Sequence, residues 1–133
     1  MAFDFGLRQI GVAVGNTESR TSNALTVLRA REGQPDWEEV GKLILEWRPD
    51  LLLVGDPLNM DGSASEVGVR AARFARRLHG RFGLPVTQVD ERLSSREARE
   101  QARATGRRHD PKARPVDALA ADIILRSWLD QHC

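Results

Sequence analysis

The sequence predicts an α/β domain built on a mixed five-stranded sheet flanked by helices, in the order βββαβαβαα. Three observations point there. Three short apolar segments with short links open the chain, as in an antiparallel meander. Wholly apolar runs then alternate with segments of helical spacing, as in a parallel half-sheet covered on both faces. The 133 residues also suffice for one domain, 1–133, to bury a core without disulfides or a structural metal.

The first two strands are expected at Ala2–Phe5 and Ile10–Val14, joined through Gly6 and the polar pair Arg8-Gln9, and the third at Ala24–Leu28. Asp36, followed three residues later by Glu39, starts a helix. Trp37, Val40, Leu43, Ile44 and Trp47 recur along it at helical spacing, and Pro49 stops it. Leu51–Val54 is a buried parallel strand, and residues 55–62 form a loop containing Pro57 and Asn59-Met60-Asp61-Gly62. Ser63 with Glu66 opens a helix to about His79, with Gly80 and Gly83 as stops. Pro85–Val89 is the last strand. Ser94 with Glu97 opens a helix that Gly106 ends, and Pro115 begins a final helix to about Leu129. Other α/β folds share this string.

Apolar residues at 41% and charged residues at 29% describe a soluble globular chain. The lone cysteine, Cys133, allows no internal disulfide and nothing reads as a zinc site, which suggests a cytoplasmic setting. No apolar run has the roughly 20 residues of a membrane span, and residues 1–6 lack the basic start and long apolar stretch expected of a signal peptide. Net charge is +1 but unevenly spread: residues 1–69 carry −5, residues 70–114 carry +8, and residues 115–133 carry −2. Lys42 and Lys112 are the only lysines, so arginine supplies the positive charge. The middle segment reads as a localised anion-binding face.

Asp4 interrupts an otherwise apolar strand. A carboxylate there is either a solvated or ion-paired strand end, or it is held by a metal. Asp90 and Glu91 follow directly on Pro85–Val89, at the carboxyl edge where open α/β sheets bind ligands. Successive strand residues face opposite ways, so at most one of the two joins Asp4. Asp117 lies in the first turn of the last helix, where an acid also complements the helix dipole. Asp122, five residues on, stands about 140° around that helix from Asp117. Three convergent acids suit Mg²⁺ or Mn²⁺, one or two ions. A pair of such ions clamps the attacking and leaving oxygens of an in-line phosphoryl displacement.

Four motifs carry a resemblance. Asp4-Phe5-Gly6 with Ile10-Gly11-Val12-Ala13 is the first, and Val54-Gly55-Asp56-Pro57-Leu58-Asn59-Met60-Asp61-Gly62 the second. Asp90-Glu91-Arg92-Leu93-Ser94-Ser95 with Glu97-Ala98 is the third, and Asp117-Ala118-Leu119-Ala120-Ala121 with Ile123-Ile124-Leu125 the fourth. In this order they span essentially the whole chain and resemble the YqgF/RuvX family, assigned both as Holliday junction resolvases and as pre-16S ribosomal RNA nucleases. The resemblance implies an RNase H-like fold and a divalent-metal nuclease. It makes Asp4, Glu91 and Asp117 the catalytic metal ligands and Asp90 a neighbour. Three departures stand out: Asp56 occupies a usually apolar place, only three residues precede Asp4 where the family has a longer apolar strand, and Arg114 stands where related junction resolvases carry another acid. The implied partner is structured RNA, pre-16S ribosomal RNA, with association to the ribosome; branched DNA is the alternative substrate.

Arg70, Arg73, Arg77 and Arg81 form one helical stripe, and Arg92, Arg96, Arg99 and Arg103 another. One stripe alone is an ordinary solvated face. Two stripes flanking Asp90-Glu91, with Arg107, Arg108, Lys112 and Arg114 in the loop that follows, point to nucleic acid. Arg8, Asn59, Gly62, Arg73, Arg77, Arg92, Arg96 and Arg114 are the candidate contacts. With four Phe, three Trp and no Tyr, phosphate and shape are better suited than base stacking. Two rival readings are a nucleic-acid-binding module without catalysis and an actin-like phosphotransferase; the chain is short for the latter's two domains.

Overall fold

The computed structural model describes residues 1–56, 66–90 and 116–132, with the backbone alone at 56, 90, 116 and 117. Its strands are β1 (Ala2–Asp4), β2 (Gln9–Asn16), β3 (Thr21–Arg31), β4 (Gln34–Pro35), β5 (Leu52–Asp56) and β6 (Val86–Asp90). Its helices are α1 (Trp37–Trp47), α2 (Glu66–Phe82) and α3 (Val116–His132). The helix expected over 94–106 lies outside the described residues.

The six strands form one sheet in the order β4-β3-β2-β1-β5-β6. β1 pairs antiparallel with β2, β2 with β3, and β3 with β4; β5 runs parallel to both β1 and β6. The expected count of five strands is thus corrected to six. Gly33, at φ +82°, turns the chain so that Ala30 and Arg31 pair with Pro35 and Gln34. A two-residue strand has no period to read, and its proline is tolerated because β4 is an edge.

Strand alternation loads both faces of the sheet. Phe3, Ile10, Val12, Leu52 and Val54 face α1 and α2, meeting Val40, Ala71, Phe74 and Leu78. Phe74 is the hub of that layer, its ring 5.6 Å from Phe3, 5.4 Å from Phe5 and 5.6 Å from Trp37. Ala2, Ala13 and Leu53 face the other way, against Ala121, Ile124, Leu125 and Leu129 of α3. The small side chains let α3 sit close. A Cβ at Gly15 would strike the Thr21 carbonyl and lie 2.9 Å from Leu125 Cδ2.

The helix ends follow local chemistry. Asp36 caps α1, its carboxylate accepting from the Glu38 N–H at 3.0 Å. Arg48 then takes the left-handed conformation (φ 46°, ψ 57°) and donates its N–H to the Ile44 carbonyl, one residue before Pro49. α2 runs through Gly80 and stops at Gly83 (φ +67°), three residues past the expected end. His79 secures that end: its Nδ1 lies 2.9 Å from the Leu84 carbonyl oxygen, which accepts. Trp47, placed by its spacing on the apolar stripe of α1, is 44% exposed. Among the described residues no helix is long and apolar enough to cross a membrane.

Candidate metal and nucleic-acid site

Asp4 ends the central strand and is half-buried. The alternation that sends Phe3 towards α1 and α2 puts Asp4 on the opposite face with Ala2, under α3. Its register partner on β2 is Gly11. On β5, Phe3 aligns with Val54, so the next pair is Asp4 beside Gly55. Both flanking positions on that face therefore lack a side chain. Gly55 aligns in turn with Val89 of β6, which packs against the α3 layer. Glu91 stands two positions after Val89 in the sequence and lies outside the described residues.

The course of α3 follows from what its far end touches. Leu125, Trp128 and Leu129 share a cavity of about 370 Å³ with Met1 and Leu51, at the amino end of β1 and β5. The helix hence runs counter to β1, and its first turn, with the backbone of Asp117, lies towards the edge where Asp4 ends its strand. Asp122, further along, is 6% exposed and pairs with Arg126 at 3.3 Å; Arg126 Nε donates to Ser22 Oγ at 3.1 Å. That carboxylate ties α3 to β3, a role no spacing in the sequence announces. Its Oδ1 is buried, with no hydrogen-bond partner among the described residues.

Beside Asp4, residues 5–9 and Val67 enclose a depression of about 430 Å³. The loop is pinned by backbone bonds: the Arg8 carbonyl accepts from Ala30 N–H, and the Leu7 carbonyl from Gly33 N–H, each at 2.8 Å. Gly6 is required there, because a Cβ would strike the Gln9 carbonyl. Arg8 is exposed on the rim. Among the described residues no three of His, Cys, Asp and Glu cluster as a metal site; the side chains of Glu91 and Asp117 are not among them. An oxygen donor between two glycines at a sheet edge does fit a hard cation, which takes oxygen ligands and keeps waters.

The α2 stripe divides. Arg81 lies over the Trp37 ring, 4.5 Å from its centroid. Arg70, Arg73 and Arg77 instead line a groove of about 440 Å³ with Phe5, Trp37 and the Glu32–Gln34 turn. That turn's part was not visible in the sequence, since β4 was not. Asn59, Gly62, Arg92, Arg96 and Arg114 lie outside the described residues.

A curled mixed sheet with an antiparallel and a parallel half, helices on both faces and an acid ending the central strand define an RNase H-like protein. T. thermophilus RuvC, in a structure titled as a complex with Holliday junction substrate, shares this fold at 15% identity and a TM-score of 0.55, over 98% of this chain and 92% of that one. The sequence model of the family described as "RuvX: Holliday junction resolvase" matches residues 1–131, and the chain belongs to that family. A relative from Azotobacter vinelandii is 56% identical over 99% of this chain and 93% of its own length. One from Pseudomonas aeruginosa is 52% identical over 99% and 92%. Each is named "Putative pre-16S rRNA nuclease".

Proposed function

We propose that the chain is a metal-dependent nuclease, one domain over residues 1–133, that hydrolyses phosphodiester bonds in pre-16S ribosomal RNA in the cytoplasm. The observation that carries this is Asp4: a half-buried acid at the end of the central strand, between two glycines, on the face and edge towards which the first turn of α3 lies. The family and the names of its relatives support the same reading. Asp4, Glu91 and Asp117 would hold Mg²⁺ or Mn²⁺, and the bound cation would supply Lewis-acid stabilisation of charge on the phosphoryl group. The protein's own part is positioning. Arg8, on the rim of the Asp4 depression, and Arg92 and the loop around Asn59 and Gly62 orient the scissile phosphate. Arg73, Arg77, Arg96 and Arg114 hold flanking phosphates, and no side-chain nucleophile takes part.

Asp4→Asn tests the site. It keeps shape and one acceptor but loses the charge that draws in the cation. Cleavage should fall to background while the fold holds. Melting without metal should be unchanged or higher, because repulsion between the acids is relieved, and stabilisation by Mn²⁺ should shrink. Retained activity would remove the reading. The family description favours a second substrate, branched DNA. A ribosomal RNA precursor and a four-way DNA junction, digested side by side with and without Mn²⁺, decide between them.

A further inference from the structure

We propose that the groove between α2 and the β3–β4 turn seats a single phosphodiester strand continuous with the Asp4 depression. This rests on the nuclease reading above and specifies its substrate as one with a single-stranded segment beside the cut. Arg70, Arg73 and Arg77 form one side of the groove, at steps of about 4.5 and 6 Å along the helix axis. Among the described residues none of the three is in an ion pair. Their planar forks are therefore available for phosphate, which they match in bidentate fashion.

Size and surroundings select a strand over a duplex. A groove of about 440 Å³ is on the scale of a small-ligand cleft. A single strand can lie within a cleft of that size, whereas a duplex, with two backbones around stacked base pairs, can only lie across its mouth. The Trp37 ring is already stacked on Phe74 and covered by Arg81, so recognition here falls to phosphate and not to base stacking. The groove adjoins the Asp4 depression. Both are lined by Phe5, and the consecutive α2 residues Glu66 and Val67 lie one in each. Glu66 repels phosphate at that junction, which gives an independent handle.

The test is fluorescence anisotropy of the full chain without divalent metal. The probes are a short labelled strand, as RNA and as DNA, and the same sequence as a blunt duplex, across a salt series. Arg73→Ala with Arg77→Ala should weaken single-strand binding about tenfold and flatten its log–log salt slope by one to two units, at about 0.7 per contact. Loss with either sugar supports the groove. Duplex binding should change little, as should single-strand binding by Arg76→Ala, a charge control on the same helix outside the groove. Glu66→Gln should tighten the strand. Equal loss for duplex and strand, equal loss in the Arg76 control, or no tightening in Glu66→Gln would overturn the proposal. If Asp4→Asn still cleaves while the arginine pair loses the strand, the nuclease site falls and the groove stands. The converse removes the groove alone.

Discussion

The amino group of Met1 is buried against the sheet and donates to the Leu51 carbonyl at 3.1 Å. Burial lowers its pKa from 8.0 to about 6, against the smaller opposing pull of Asp50. Between those values the unfolded chain binds more protons than the folded one. Stability contributed by the neutral amine is therefore present above pH 8 and lost as pH falls towards 6. For a chain whose first residue is Met1, the loss should reach about 2–3 kcal/mol. Urea melts from pH 8 to 6 should show it, and an N-acetylated chain should lack that part of the slope. Single residues were unevenly legible. Asp4 announced itself as an acid in an apolar strand. Asp122 did not, because its part in the fold runs through Arg126 to Ser22, a contact 104 residues apart in the chain.

At the scale of elements, the end of α1 carries an identifiable strain. Arg48 sits at φ 46°, where a side chain costs about 1 kcal/mol relative to glycine. Arg48→Gly should raise stability by roughly that amount, less what glycine's added freedom in the unfolded chain takes back. Thermal melts should rise by a few degrees; a fall would mean that the Arg48 side chain holds something at the amino edge. Helices and buried strands were readable because their period or apolarity repeats over many residues, as in Leu52–Val54. β4 was not, since two residues carry no period. Nor was the placement of Asp4 beside Gly55, which depends on parallel pairing between segments some fifty residues apart.

For the whole molecule, the two layers depend on different parts of the chain. The α1/α2 layer uses residues up to Val86, whereas the opposite face of the sheet is covered by α3. Ending the chain before Val116 should leave Ala2, Ala13 and Leu53 uncovered and yield a protein that binds hydrophobic dye and aggregates; a monodisperse, cooperatively melting fragment would show that α3 is dispensable. The basic middle segment was visible from composition, but which arginines share a groove depends on how α2 packs against the β3–β4 turn.

β1 comes first in the chain yet lies in the middle of the sheet. On a ribosome adding roughly 5–20 residues each second, its parallel neighbour β5 emerges some seconds after it, and α3 several seconds later still. During that interval Phe3 and Ala2 belong to a strand with only its antiparallel hairpin partner in place. The nascent chain thus carries a sheet with one face uncovered until α3 clears the exit tunnel. Slow codons placed just before α3 would lengthen the period in which a chaperone, or another nascent copy, meets that open face.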